Sequence, residues 1–277
     1  MLRVYLLTIC AFLTFTLSVN AQVTISPTNL FIEGNTRFGS YIVVNGSSEQ
    51  QEISVDFLFA YTDVDDSGNR VIVYDDSVSE DQYSIASYIR AFPKNFVLAP
   101  GQRQVVRLRV SPPQGLDDGT YWARIKTTSA PETPPIELGA ADAVTARVGI
   151  KIEQVTGIFY KQGTVDTGVG VQGIRTNLSD DGNTLSVLAD IVRTGNSPFL
   201  GSITTSLTNS AGEVVRSEFV STSLYFDKIY KQDLLIEGLP AGTYSLSVKF
   251  ETERSDISGN NLIQMEPVTE TTTYVIR

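Results

Sequence analysis

The chain has 277 residues, no histidine, a single cysteine and a formal net charge of −10. Without imidazole it lacks the Cys/His nucleophile pair, the Ser-His-Asp triad and the usual soft metal ligands, so no metal or cofactor is expected and any chemistry would rest on carboxylates, Lys, Tyr or Ser. Its acidity sets the chain as a whole against nucleic acid and anionic lipid as main partners.

Arg3, an apolar run from Val4 to Leu17 and the small-residue site Val19-Asn20-Ala21 read as a secretory signal peptide. The run is too short to span a bilayer comfortably, and no later stretch approaches a membrane helix, so no membrane insertion is expected. Cys10 lies inside the leader and leaves with it. An exported protein without a disulfide must hold each domain by its hydrophobic core alone. The expected organisation is a signal peptide over 1–21, a first domain over 22–160 and a second over 161–277. Short alternating runs bounded by Gly, Asn, Asp and Pro recur while helical periodicity is almost absent, which makes the class all-β, two tandem immunoglobulin-like sandwiches.

Val23 to Ile32, VTISPTNLFI, reads as an edge strand broken at Pro27. Ser40 to Val44 is a short strand, and Ile53, Val55, Phe57, Phe59 and Tyr61 form one apolar face of the next. Asp63 to Asn69, DVDDSGN, is a hairpin tip. Its alternate oxygens and Gly68 resemble a calcium loop, but the twelfth position is Tyr74 where a bidentate carboxylate is needed, so turn chemistry is the better reading. Pro100-Gly101 is a tight turn, after which Val106, Leu108 and Val110 point one way and Val105, Arg107 and Arg109 the other.

Tyr121, two residues after Gly119 and four after Asp117, makes the tyrosine-corner pattern of Ig-like sandwiches, with Ala123 where antibody domains carry a cysteine. Gly242-Thr243-Tyr244 repeats the device in the second half. Asp117-Asp118 and Asp180-Asp181 stand before glycines in turn contexts, which accounts for them without a glycosidase-type carboxylate pair. Ser129 to Ala143 reads as a long mobile loop. Ala143 to Lys161, AVTARVGIKIEQVTGIFYK, then reads as one long strand whose apolar face carries Val144, Ala146, Val148, Ile150 and Ile152, with a phase slip at Gln154-Val155 before the cluster Ile158-Phe159-Tyr160. Gly163 to Gly173 is a glycine-rich approach to the second domain. The strands there are placed at Leu185–Val192, Ile203–Leu207, Glu213–Arg216 and Lys231–Ile236, with a Thr-rich edge strand at Val268–Ile276.

With these pieces assembled the sequence resembles the periplasmic pilus chaperones, the PapD-like family. The resemblance rests on FPKNFVLAPGQRQVVRLRV from Phe92 to Val110, on TYWARIK, on GIFYK and, more loosely, on GNSPF. It implies a periplasmic, non-enzymatic chaperone for fimbrium biogenesis. Such a protein caps a pilin-like or other surface subunit by lending it an edge strand, and an outer-membrane usher is a further implied partner. The donated positions fall on Val148, Ile150 and Ile152. Family members also grip the client's C-terminal carboxylate with two basic residues in the interdomain cleft. Here those positions hold Asn29 and Gly157, so Lys151, Lys161 and Arg175 are the candidate replacements. Alternation alone favours a closed strand facing a sandwich interior and the resemblance reverses that, which leaves a structural or adhesive tandem-Ig protein at the cell surface as the alternative.

Overall fold

A strand that alternates apolar and polar residues buries one face, and two such faces must be laid against each other. The chain does this twice. The structure is a computed structural model and describes residues 23–65, 70–132 and 150–277; the expected leader, and Val144, Ala146 and Val148 of the expected lending strand, lie outside the described residues.

The first part contains β1 (Val23–Ser26), β2 (Asn29–Glu33), β3 (Phe38–Asn45), β4 (Gln51–Leu58), β5 (Tyr61–Val64), β6 (Arg70–Val73), helix α1 (Ser77–Tyr83), β7 (Ile89–Phe92), β8 (Asn95–Leu98), β9 (Arg103–Val110), β10 (Gly119–Pro131) and β11 (Ile152–Gln162). The second contains β12 (Thr167–Leu178), β13 (Thr184–Gly195), β14 (Phe199–Thr208), β15 (Val214–Leu224), β16 (Lys228–Leu235), β17 (Gly242–Glu251) and β18 (Val268–Ile276). Sheets ordered β1-β3-β9-β7 and β2-β11-β10-β4-β8 form one sandwich, and sheets ordered β12-β13-β16 and β15-β14-β17-β18 the other.

The chain changes sheets across Pro27, so the broken edge strand is two edge strands, β1 in one sheet and β2 in the other. Val43, Val55, Val106, Leu108, Ile125, Ile158 and Tyr160 close the first core. Leu185, Val187, Phe199, Ile203, Leu246 and Phe250 belong to the second. Both tyrosine corners form: Tyr121 Oη donates to Asp117 O at 3.2 Å and Tyr244 Oη to Pro240 O at 2.7 Å, each four residues upstream. At the Pro100-Gly101 turn Gly101 takes φ +72°, and Gln102 N donates to Ala99 O at 3.0 Å.

Three expectations change. The face from Ile53 to Tyr61 is not one strand, because β4 ends at Leu58 and Phe59 and Tyr61 turn instead into an apolar cluster shared with the second domain. Ser129 to Pro131 is not loop: β10 runs on beside β4 to Pro131, with β11 on its other side as far as Ser129, and Thr127, Thr128 and Ser129 are buried. The glycine-rich approach is the strand β12, in which Val169, Val171 and Ile174 supply the apolar side chains and a bulge at Val171/Gly173 absorbs the irregular spacing.

The two sandwiches are joined by a short turn held from both sides. Asp118 Oδ2 accepts from Thr164 N at 3.0 Å, and Asn196 Nδ2 donates to Asp118 O at 3.2 Å and to Thr164 O at 2.9 Å. A buried hydroxyl pair, Thr120 and Ser197, adds a contact of 2.7 Å. Gly163 has φ +60° with Asp118 pressed against it, so a side chain there would be strained and would displace the carboxylate. Asp181 likewise caps its own turn, accepting from Ser179 Oγ and Asn183 N, which holds its carboxyl below the usual range.

Candidate functional site

The candidate site is β11 and the cleft into which it leads. Its ladder with β10 runs unbroken from Ile152↔Ser129 to Gln162↔Gly119, so the expected phase slip is absent. The apolar run Ile158-Phe159-Tyr160 arises instead because both faces are covered there. Ile158 and Tyr160 enter the first core, while Phe159 faces the second domain. Burial pushes the Tyr160 hydroxyl up against the opposing pull of Arg37.

The two halves of β11 differ at their other edge. From Gly157 to Lys161 it pairs in parallel with Asn29–Glu33 of β2, beginning with Gly157 N donating to Thr28 O at 2.9 Å. Upstream β2 has ended and β1 has left for the other sheet, so among the described residues Ile152 to Thr156 have a ladder partner only in β10. Backbone groups alternate sides along a strand. Because Gly157 N points toward the β2 side, the N–H and C=O of Glu153 and Val155 point to the edge that no strand of the described residues covers.

A groove of about 430 Å³ lies along that edge, lined by Val23, Ile25, Thr28, Gln154, Val155 and Thr156. Gln154 Nε2 reaches across it to Val23 O at 3.0 Å, but Gln154 Oε1 and Thr156 Oγ1 are buried with no hydrogen-bond partner among the described residues. An orphaned buried polar atom costs about 1–3 kcal/mol, which an added strand with suitable groups would offset. Of the residues expected to be lent, Ile152 opens β11 and is half-buried, Ile150 precedes it and is 60% exposed, and Val148 lies outside the described residues.

The cleft is filled by the protein's own side chains. Trp122 stacks on Tyr83 of α1 at 4.7 Å between centroids and meets Tyr225 at 5.0 Å, Phe59 at 5.9 Å and Phe226 at 6.1 Å. Leu200, Ile257 and Leu262 close the cluster from the second domain. The β5-β6 hairpin reaches over as well: Asp63 pairs with Lys228, and Arg70 donates to Ser221 O. The expected hairpin is present as β5-β6, and it also serves as an interdomain arm; residues 66–69 lie outside the described residues. Among the described residues no group of three or more metal-ligating side chains is found. Helix α1 was missed by periodicity because it is a single short turn system. Its signal is local: Asp76 caps it by accepting from Ser79 N at 3.0 Å, and Glu80 follows in the first turn. Those bonds and the Tyr61 hydroxyl at 2.8 Å hold the Asp76 carboxyl below the usual range. The Tyr61 hydroxyl is in turn pushed up, by burial first and then by Asp76.

The expected cations are scattered. Lys161 is in the cleft and 8% exposed, but it is engaged by Glu33 at 3.2 Å, by Asn261 O at 2.8 Å and by the Phe31 ring at 5.4 Å. The void beside it measures about 10 Å³, no more than one water needs. Lys151 lies ten residues back along the chain, roughly 33 Å of strand, exposed beside Glu153 at 3.1 Å. Arg175 is on β12 and pairs with Asp190 at 2.7 Å.

Asn29 and Gly157 are ladder neighbours, and a side chain at Gly157 would begin 2.6 Å from Asn29 Oδ1 and 3.3 Å from the guanidinium of Arg124. Arg124 is thus the cation that occupies this place, reaching in from β10. It is 9% exposed, donates to Ala60 O at 3.2 Å and to Tyr225 Oη at 3.4 Å, and has no carboxylate within 4 Å among the described residues. Burial pushes the Tyr225 hydroxyl up, against the pull of Arg124 and Arg254. Arg124 was legible in principle: Ala123 and Ile125 alternate into the core, which puts it on the face of Trp122.

No family model matches the chain, and no curated protein matches it in sequence. Solved structures do. The chain is similar to the E. coli chaperone DraB at 17% identity, with 81% of this chain and 88% of that one covered and a TM-score of 0.41. It is similar to the class 5 fimbriae chaperone CfaA at 12% identity, with 90% and 98% covered and a TM-score of 0.45. It is similar to the Salmonella enterica SafB chaperone, solved with the SafA pilin, at 14% identity, with 92% and 96% covered and a TM-score of 0.41.

Proposed function

We propose that this protein is an exported, non-enzymatic chaperone that caps a pilin-like or other surface subunit by lending it the edge of β11. The observation that carries the reading is the half-covered strand. Among the described residues Glu153 and Val155 have no strand beside their outward backbone groups, Ile150 is exposed just upstream, and Gln154 Oε1 and Thr156 Oγ1, of residues lining the groove, have no hydrogen-bond partner. A client strand would complete the ladder and take the alternate apolar side chains. Strand pairing carries the affinity in this proposal. The cleft cations are engaged internally and the space beside Lys161 does not admit a carboxylate, so the client's chain end is held elsewhere or not at all.

Replacing Ile150 with aspartate is expected to leave the melting temperature unchanged, since the side chain is solvent-facing, and to abolish co-purification of the client from the periplasm. A mutant that still carries its client overturns the proposal. Amide exchange gives a second check on the protein alone. Glu153 and Val155 should exchange orders of magnitude faster than Phe159 and Lys161, and become protected only with a client bound. Equal protection in the isolated protein would favour a closed strand and the structural or adhesive alternative.

A further inference from the structure

The sheet β1-β3-β9-β7 turns one face to the core and the other to solvent, and alternation places four arginines on the solvent face: Arg103, Arg107 and Arg109 of β9 and Arg90 of β7. No Asp or Glu occurs in any of the four strands, in a chain with 31 acidic residues. Net charge is a sum, and it conceals a segregated basic face on an acidic protein.

This arrangement works against the fold. Arg90 sits directly opposite Arg109 in the ladder, and like charges opposite each other destabilise a sheet. None of the four forms an ion pair among the described residues; Arg90 donates to Ser87 O and Ile89 O, and Arg109 lies 5.9 Å from the centroid of the Phe38 ring. Apolar side chains stand between the charges. Phe38 is 61% and Phe92 60% exposed, and Ile42 faces Val105 across the ladder with both exposed.

We infer that this face docks an acidic protein segment, one that presents carboxylates at two-residue spacing with apolar side chains between them. Arg107 and Arg109 are about 6.8 Å apart along the strand, the repeat of an extended partner chain. All four cations are arginine, whose planar fork pairs bidentately with carboxylates held in fixed geometry. A headgroup layer attracts lysine equally well. Arginine and aromatic residues with acids absent is also the composition of a protein interface core. The face lies on the sheet that does not contain β11, so it stands whether or not that strand is lent.

The test titrates the mature protein with a short synthetic peptide alternating glutamate with valine and tyrosine, and with its glutamine counterpart, followed by amide chemical shifts. The glutamate peptide is expected to bind on β3, β7 and β9, to weaken with added salt, and to lose about tenfold or more in affinity to the R107E/R109E double variant. The variant R109Q should melt no lower than the parent, because it removes the repulsion with Arg90. The inference is overturned if neither peptide binds, if both bind alike, or if R107E/R109E binds as the parent does. It is equally overturned if the peptide fails while phosphatidylglycerol vesicles are bound through these arginines, or while they drive concentration-dependent self-association in sedimentation.

Discussion

Replacing Trp122 with alanine is expected to destabilise the protein by about 3–5 kcal/mol and to split a single thermal transition into two. The indole is 2% exposed at the centre of a cluster drawn from β10, α1, the residues before β5 and the second domain, so its loss opens a cavity where the sandwiches meet. Either core should then melt on its own, because each has its own cluster of buried residues distinct from the one around Trp122. Phenylalanine at the same position should cost far less. Trp122 Nε1 is buried without a partner among the described residues, and removing an orphaned donor recovers part of what the smaller ring loses. Scanning calorimetry on both variants checks this. A W122A protein that melts once, near the parent temperature, would show that the hinge bonds around Asp118 and Asn196 couple the domains without the cluster.

Alkaline pH should unfold the protein steeply above pH 10. Burial pushes the Tyr41 hydroxyl in the first core up to about 12, against the lowering effect of its contact with Thr127, and burial likewise pushes Tyr230 in the second core up to about 12. In the unfolded chain both lose their protons near pH 10, while in the folded protein they keep them. The unfolded state therefore binds fewer protons across that window, and stability falls as pH rises. The contribution is intact below pH 10 and lost by about pH 12, on the order of 2–3 kcal/mol for each tyrosine. With no histidine in the chain there is no imidazole transition near neutrality. Urea midpoints against pH should be level through neutrality and bend downward above 10. Tyr41→Phe should flatten the bend, and a bend of unchanged slope in that variant would place its origin elsewhere.

The sequence made the sandwiches readable because their determinants are local. Gly-Thr-Tyr at 119–121 and 242–244 specifies a corner through a bond to a carbonyl four residues back, and both corners form. The alternation of Arg107, Leu108, Arg109 and Val110 fixes which face is buried without reference to anything distant. What escaped was decided by neighbours remote in sequence. Phe59 and Tyr61 carry the same alternation as Ile53 and Val55, yet a second domain more than a hundred residues away draws them out of the strand. Gly168, Gly170 and Gly173 read as an approach to the second domain because glycine weakens a strand, and β12 forms because the long ladder with β13 outweighs that. Arg124 was passed over for a related reason. Its significance lies in standing beside Gly157 across a ladder, a relation that no spacing along the chain expresses.

The divided edge of β11 also has a mechanical meaning. Downstream of Gly157 the strand is clamped between ladders on both sides, while among the described residues its upstream half is attached on one side only. A pull along the strand from its free half would load the paired bonds of the inner half together, in shear. Peeling sideways from the upstream end would break them one at a time until the double ladder began at Gly157. The strand is therefore stiff to tension and compliant to peeling, with the boundary between the two behaviours set by where β2 begins.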